Sequence, residues 1–295
     1  MPRVAFVNGR YESLAEASVS VEDRGFQFAD GVYEVCALKG GRLIDFPAHL
    51  ARMRRSLAAI EIEPPMSDRA LRHIVAETVR RNGLGDALIY VQVTRGVSPR
   101  DHAFPMPGTR PSLVVTVRPV SWAAMMERAR RGIAVVTRPD LRWARRDIKS
   151  VGLLPNVLAK QSAREAGATE AWLVDEAGYV TEGTSTNAWI VQADGTVVTR
   201  ALGHEILRGV TRMTLLSLIE KSGRPLQERP FTVAEAHAAR EAFVSSAANF
   251  VIPVVRIDQT PIGDGKPGPF CRELLAAYEE MVQSENLFFR TCSKN

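Results

Sequence analysis

Alternating and helical patterns of hydrophobic residues predict a chain that mixes strands and helices. The stretch "VAFVNGRYE" alternates on both sides of Asn8-Gly9, which is a strong signal for a two-residue hairpin turn. Helical spacing begins at Pro47, and again at a Ser67/Asp68 cap that is followed by a glycine stop. The stretches "DALIYVQVTRG" and "SLVVTVRPV" then predict strands. The proline-rich connection between them, "VSPRDHAFPMPGTRP", has the length and composition of a functional loop.

The pattern changes from residue 132 onwards, where short strands dominate and helices separate them. The stretch "KSVGLLPNVLAKQSAREAGA" is mostly helical in pattern, and "EAWLVDEAGYVTEGTSTNAWIVQADGTVVTR" predicts a run of strands. We therefore predict an α+β chain with a smaller N-terminal domain over 1–119, a connection over 120–131, a larger domain over 132–285 and a tail over 286–295. A cleft between two such domains is a common place for a small-molecule site.

Composition narrows the class of protein. The 295 residues are 45% hydrophobic and 24% charged, as in a globular protein with a sizeable core. No stretch approaches the roughly 20 apolar residues that a membrane helix needs, and the N-terminus lacks a signal-peptide core. Cys36, Cys271 and Cys292 share no close spacing, so we expect neither a disulfide framework nor a metal site, and we expect a cytoplasmic location.

The net charge of +5 does not by itself predict a nucleic-acid partner. The arginines are dispersed over helix faces such as "ARMRRSLAAI", with no basic tail and no aromatic RNA-binding signature. Solvated helix faces are the ordinary explanation of such charge runs. We expect no nucleic acid and no membrane among the partners.

One lysine stands apart from the others. Lys149, in "RRDIKSVGLL", is predicted at a strand-to-helix transition among apolar residues, whereas Lys160 lies eleven residues on and is predicted to face water. Desolvation disfavours the charged form of an amine, and the neutral form is the one that attacks a carbonyl to form a Schiff base. A lysine with a buried stem and a solvated head is the alternative interpretation.

Other stretches offer groups that bind cofactors or anions. Glu182, in "YVTEGTSTN", could face a pyridine nitrogen, or could be an ordinary turn acid. Gly209 precedes a predicted helix whose first N–H groups, at Val210 and Thr211, form a candidate anion site or an ordinary N-cap.

Two basic stretches of the first domain could bind acidic groups. Arg52 could contact a phosphate, although its local sequence by itself favours an ordinary surface arginine. Arg100 and His102 lie two residues apart in the proline-rich loop and could point together at a carboxylate.

Taken together, these stretches resemble the fold-type IV pyridoxal-phosphate enzymes, which include D-amino-acid and branched-chain aminotransferases and aminodeoxychorismate lyase. The similarity runs from about residue 3 to residue 283 and is greatest to the D-amino-acid aminotransferases. It implies pyridoxal 5'-phosphate as cofactor, a two-domain α+β fold with the cofactor in the interdomain cleft, and a homodimer.

The resemblance assigns roles to residues at matching positions. The implied cofactor-binding residues are Lys149, Glu182, Arg52, Val210, Thr211, Leu207, Ser246 and Ala247. Lys149 would be the catalytic Schiff-base lysine, Glu182 would face the pyridine nitrogen, and Leu207 would lie against the ring. Ala247 and Ala248, in "SSAANF", stand where similar enzymes often carry hydroxyls, which leaves Ser246 and backbone N–H groups for the phosphate.

The loop "RGVSPRDHAFP" resembles the one with which D-amino-acid aminotransferases hold the substrate carboxylate. Arg100, His102 and Tyr33 would then bind substrate. The implied activity is transfer of the amino group of a D-alanine-like D-amino acid to a 2-oxo acid, either 2-oxoglutarate or pyruvate. The small-molecule partners are therefore an amino acid and a 2-oxo acid.

Several alternatives stay open from sequence. On the same fold these are a branched-chain L-amino-acid aminotransferase, aminodeoxychorismate lyase and an R-selective amine transaminase; the Arg100/His102 loop argues against the first two. A catalytically silent binding protein is disfavoured by the joint presence of Lys149, Glu182 and Thr211. A basic nucleic-acid-binding protein is the other non-enzyme alternative.

Overall fold

The computed structural model describes residues 3–284, so the predicted tail over 286–295 lies outside the described residues. The described chain divides into two compact units. The first contains the residues up to Ser121 together with Ile148–Gly152, and the second contains Trp122–Asp147 and Leu153–Ser284.

The first unit is an antiparallel sheet covered by helices. Within the described residues its sheet has six strands in the order β2-β1-β6-β5-β3-β4. The elements are β1 (Val4–Val7), β2 (Arg10–Ser13), α1 (Arg24–Phe28), β3 (Gly31–Lys39), β4 (Arg42–Leu43), α2 (Phe46–Ala59), α3 (Asp68–Asn82), β5 (Ala87–Thr94) and β6 (Ser112–Pro119). Alternate residues of β5, namely Ile89, Val91 and Val93, join the core that α2 and α3 cover.

Local signals fix several of these elements. Val7 pairs with Arg10 across Asn8 and Gly9, both of which have positive φ, so the predicted hairpin turn is confirmed. Helix α3 is capped at its start by Ser67, whose hydroxyl accepts from Ala70 N, and at its end by Gly83 in the left-handed conformation.

The second unit is built on a larger mixed sheet. Within the described residues its strands run in the order β12-β11-β10-β13-β14-β7-β8-β9, and β15 pairs with β14. The strands are β7 (Ile133–Pro139), β8 (Glu170–Val174), β9 (Val180–Gly183), β10 (Asn187–Val191), β11 (Val197–Thr199), β12 (Leu226–Glu228), β13 (Glu241–Ser246), β14 (Phe250–Ile257) and β15 (Thr260–Pro261). The helices are α4 (Trp122–Arg131), α5 (Leu154–Glu165), α6 (Val210–Lys221), α7 (Val233–His237) and α8 (Pro269–Ser284). Trp189 stacks on Phe243 in the core, with ring centroids 5.3 Å apart.

The segment around Lys149 groups with the first unit because its backbone pairs with the start of β3. Tyr33 N donates to Lys149 O at 3.0 Å, and Val151 N donates to Gly31 O at 3.0 Å. The sequence-based division, with its connection at 120–131, did not place the segment there, since local patterns do not report long-range pairing. Helix α5 begins at Leu154, so Lys149 lies in an extended connection before it.

A buried ion cluster joins β3 to α2. Arg52 Nε and Nη2 donate to the two carboxylate oxygens of Glu34 at 2.8 and 2.7 Å, and His49 Nδ1 lies 2.7 Å from Glu34 Oε2. All three side chains are buried. Burial alone would raise the pKa of Glu34, but Arg52 and His49 outweigh it and lower that pKa to about 2.

We predict a pH-dependent stability contribution from Glu34. Its pKa falls from 4.5 to about 2 on folding, so the carboxylate stabilises the fold above pH 4.5 and loses this effect as the pH falls towards 2. The substitution Glu34→Gln should lower the free energy of unfolding at neutral pH by about 3 kcal/mol, because it removes the buried carboxylate that pairs with Arg52 and His49. The difference from wild type should shrink steadily on acidification, as measured by urea unfolding across pH.

The exposed Glu63, also in the first unit, provides the matched control, and Glu63→Gln should track the wild type at every pH. A Glu34→Gln deficit that stays constant down to the acid limit would contradict the lowered pKa.

Candidate active site

Lys149 is held beside an aromatic pair. Its Nζ lies 4.1 Å from the ring centroid of Tyr33, which stacks on Tyr90 at 5.5 Å. Its backbone N donates to Ser56 Oγ on α2 at 3.2 Å. Burial, aided by the neighbouring Tyr33, raises the pKa of Tyr90 to about 12. The half-buried lysine is therefore fixed at its backbone by two elements and at its amine by the ring of Tyr33.

Arg52 lies one turn before Ser56 on the same helix. Its guanidinium is engaged with Glu34, as described above, and is therefore held rigidly within the unit. Helix α2 thus carries both Arg52 and the hydroxyl that fixes the Lys149 backbone, whereas the phosphate contact of Arg52 stays a prediction.

The loop between β5 and β6 carries Arg100 and His102, and both side chains are exposed. Phe28 brings them together: Arg100 Cζ lies 4.5 Å from the centroid of its ring, and the His102 ring centroid lies 5.3 Å away. The contacts of the Tyr33 ring are with Lys149 and Tyr90. The predicted carboxylate-binding residues thus form a pair on Phe28 and a separate tyrosine beside the lysine.

Glu182, on β9, is a buried acid of the second unit. It accepts from Arg142 Nη1 at 2.5 Å, from Asn187 Nδ2 at 3.0 Å, and from Leu207 N at 3.1 and 3.2 Å. Burial raises the pKa of Glu182 above its ordinary value, although Arg142 and the Leu207 N–H act in the opposite direction. A fixed carboxylate in such surroundings can hold a proton on a basic ligand nitrogen.

Arg142 is itself oriented by a buried aspartate. Its Nε and Nη2 donate to Asp140 Oδ1 and Oδ2 at 2.9 and 2.7 Å, and Thr181 Oγ1 donates to Asp140 at 2.7 Å. Burial would raise the pKa of Asp140, but its bonds with Arg142 outweigh that effect and lower it. This pair could not be recognised from sequence, because several arginines lie close together in "RWARRDIK" and nothing in the spacing distinguishes the inward one.

Asn187 was also missed, although it ends the stretch "TEGTSTN" that carried Glu182. Its Nδ2 donates to Glu182 and also to Leu207 O at 3.0 Å. A Cβ at Gly209 would lie 2.0 Å from Asn187 Oδ1, so only glycine allows this approach. Asn187 therefore connects the buried acid to the start of α6.

The N-terminus of α6 is a buried, uncapped helix end. Gly209 makes no side-chain cap bond, and the first backbone bond of the helix runs from Met213 N to Gly209 O. The N–H groups of Val210 and Thr211 thus lie outside the helical ladder, and both residues are buried. Such an end favours binding of an anion.

Two further hydroxyls in the described part of the second unit are buried without a partner. Strand β13 packs against α6 and ends at Ser246, and Ala247 follows in a turn. Within the described residues Ser246 Oγ and Thr186 Oγ1 are buried without a hydrogen-bond partner. Since buried polar atoms are normally satisfied, these hydroxyls are suited to a polar ligand.

Among residues 3–284, no helix is long and apolar enough to cross a membrane. The same part of the chain contains no group of three or more histidine, cysteine or acidic residues placed to hold a metal ion.

Comparison with known proteins identifies the family. The family model for class IV aminotransferases matches residues 31–257. The chain is 37% identical over 282 residues to a D-alanine aminotransferase of Staphylococcus aureus, covering 96% of this chain and 99% of the relative. It is 39% identical over 278 residues to a D-alanine aminotransferase of Bacillus licheniformis, covering 94% of this chain and 96% of the relative.

Solved structures agree on the fold. A branched-chain amino acid aminotransferase from T.th., solved with pyridoxamine 5'-phosphate, is similar with a TM-score of 0.87 and 28% identity, covering 97% of this chain and 96% of that one. The Escherichia coli branched-chain enzyme has the same TM-score of 0.87 at 21% identity and covers 98% of both chains. The chain therefore belongs to the class IV aminotransferases, a family of pyridoxal-phosphate-dependent enzymes with the fold-type IV architecture.

Proposed function

We propose that this enzyme transfers the amino group of a D-amino acid, with D-alanine as the model substrate, to a 2-oxo acid. The observation that carries the proposal is the near full-length similarity to enzymes named D-alanine aminotransferase, at 37% and 39% identity. The branched-chain enzyme from T.th. shares less of the sequence, at 28% identity. The Arg100/His102 pair also supports a D-amino-acid substrate, since its loop resembles the carboxylate-binding loop of D-amino-acid aminotransferases.

The residues present fit pyridoxal 5'-phosphate. The uncapped N–H groups of Val210 and Thr211 and the unpartnered Ser246 hydroxyl suit the phosphate, and Ala247 lies in the turn that follows Ser246. Arg52 is assigned to the same phosphate by resemblance. Glu182 suits the pyridine nitrogen, and Leu207 is fixed against that acid through its backbone N–H.

The chemistry divides between the cofactor and this chain's side chains. When bound, the cofactor supplies an electron sink for the electrons of the substrate Cα–H bond. Lys149 Nζ would hold the cofactor between turnovers, and as a free amine it would take the proton from the substrate Cα. Positioned acid–base catalysis of this kind contributes roughly 10²–10⁴-fold to the rate. Glu182 holds the proton on the pyridine nitrogen, and Arg142 and Asn187 keep that carboxylate in place.

Arg100, His102 and Tyr33 are proposed to hold the substrate carboxylate. A guanidinium binds a carboxylate through paired, charge-assisted hydrogen bonds that fix its orientation. With the carboxylate fixed, the side on which the Cα hydrogen faces Lys149 decides whether a D- or an L-amino acid reacts. The second substrate, 2-oxoglutarate or pyruvate, presents the same carboxylate, so the same three residues serve both half-reactions.

Replacement of Lys149 tests the catalytic assignment. Lys149→Ala should abolish multiple-turnover transamination of D-alanine and remove the visible band of lysine-bound cofactor. Lys160, on α5, is the matched control: it donates to Thr169 O and pairs with Glu170, so Lys160→Ala should keep both band and turnover. Wild-type turnover by Lys149→Ala, measured by pyruvate release, would refute the assignment.

We infer that the enzyme is a homodimer. Exposed apolar side chains of the first unit support this assembly: Val19, Val21, Phe26, Val97, Phe104 and Met106. Phe26 is 71% exposed and Val21 75% exposed, so both side chains are available to a partner subunit.

Sedimentation velocity tests the assembly. The wild type should sediment as a dimer, and the double substitution Val21→Asp with Phe26→Asp should shift it to a monomer, since charged side chains would then be desolvated at the interface. A wild-type monomer at micromolar concentration would overturn the inference.

We also place the enzyme in the cytoplasm. Cys36 and Cys271 are free, buried thiols, as is usual in a reducing compartment.

A further inference from the structure

A buried arginine ties down the loop that carries Arg100 and His102. Arg24, on α1, is only 3% exposed. Its Nη1 donates to Asp101 O at 2.6 Å, and its Nη2 donates to His102 O at 3.4 Å. A buried guanidinium that bonds two successive loop carbonyls holds the backbone between Arg100 and His102 in one conformation.

The Phe28 ring is the platform on which the two loop side chains rest. Arg24 Cζ and Arg100 Cζ lie 4.9 and 4.5 Å from its centroid, and the His102 ring centroid lies 5.3 Å away. Cation–π contacts of this kind restrict an exposed arginine that would otherwise sample many rotamers. Both loop side chains are exposed, so the Phe28 contact restrains groups that burial does not.

Asp30 anchors this arrangement to the sheet. It accepts from Arg24 Nε at 2.8 Å and from Arg95 Nε at 2.7 Å. Arg95, at the start of the loop, lies over the ring of Phe104 with its Cζ 3.7 Å from the centroid. One carboxylate therefore ties both Arg24 and the first residue of the loop.

A short segment connects this anchor to Tyr33. Helix α1 ends at Ala29, whose left-handed φ of 57° turns the chain sharply into β3. Tyr33 follows on that strand and contacts Lys149. Residues 24–33 thus carry both the anchor of the loop and the tyrosine assigned to the same carboxylate.

We propose that Arg24 and Phe28 are positioning residues that preorganise Arg100 and His102 for the substrate carboxylate. This inference rests on the proposed function, in which Arg100 and His102 bind that carboxylate. Neither Arg24 nor Phe28 contacts the substrate in this account; they reduce the entropy that the loop loses when it binds. Their effect therefore falls on substrates that carry a carboxylate, in both half-reactions.

The test uses the full-length holoenzyme with Arg24→Lys and Phe28→Leu. The lysine keeps the charge beside Asp30 but lacks the planar fork that bonds Asp30 and both carbonyls together, and the leucine keeps an apolar side chain but removes the ring. Each should raise KM for D-alanine and for the 2-oxo acid about tenfold, as expected from a small misplacement of binding groups. The kcat at saturating substrate and the visible cofactor band should change little.

Arg81→Lys is the matched control. Arg81 also pairs with an acid, Glu77, and lies over an aromatic ring, Tyr11, with its Cζ 4.1 Å from the centroid, but it lies on α3. Its KM values should equal those of the wild type.

Arg100→Ala separates the possible failures. Unchanged KM in Arg100→Ala would show that the proposed carboxylate site is wrong. A raised KM in Arg100→Ala, with wild-type KM in Phe28→Leu and Arg24→Lys, would overturn only the positioning inference. If Arg24→Lys and Phe28→Leu lower kcat and weaken the cofactor band at unchanged KM, the two residues have a merely structural role, and this result would also overturn the positioning inference. If Arg24→Lys fails to fold, Phe28→Leu alone decides.

Discussion

Backbone pairing of Lys149 with strand β3 is the constraint on which the proposed chemistry depends. Tyr33 N donates to Lys149 O, and Val151 N donates to Gly31 O, so the backbone of the lysine is fixed relative to β3. Ser56 on α2 fixes its N–H, and the Tyr33 ring receives its amine. Because catalysis at a substrate Cα needs an amine at a defined position, these backbone bonds turn an ordinary connection into a candidate catalytic segment.

In the second unit, by contrast, Glu182 is held mainly by other side chains and not by its own backbone. Glu182 is 4% exposed and accepts from Arg142, Asn187 and the Leu207 N–H. A buried carboxylate left without donors would protonate, and Asp140 keeps the main donor, Arg142, in place. The uncapped start of α6 adjoins this acid through Asn187 and Gly209. An acid and an anion site thus lie on contiguous elements of one unit.

The turns and helix ends could be predicted from local sequence rules, and the family could be predicted from the resemblance. The Asn8-Gly9 hairpin and the Ser67 and Gly83 ends of α3 follow from turn and cap chemistry, and the family follows from segments such as "TEGTSTN". The pairing of Lys149 with β3 was not predicted, because it joins residues more than a hundred positions apart. The partners of Glu182 and Arg52 were not predicted, because contacts between charged groups that are distant in sequence produce no recognisable pattern of hydrophobic and polar residues.

The central claim is that Lys149 carries the cofactor and that the enzyme acts on D-amino acids. The most direct test is the visible spectrum of the protein reconstituted with pyridoxal 5'-phosphate, recorded before and after adding D-alanine and, separately, L-leucine. We predict a visible band that D-alanine removes and L-leucine leaves in place. A band that only L-leucine removes would contradict the D-amino-acid assignment, and a protein that never develops the band would contradict the role of Lys149.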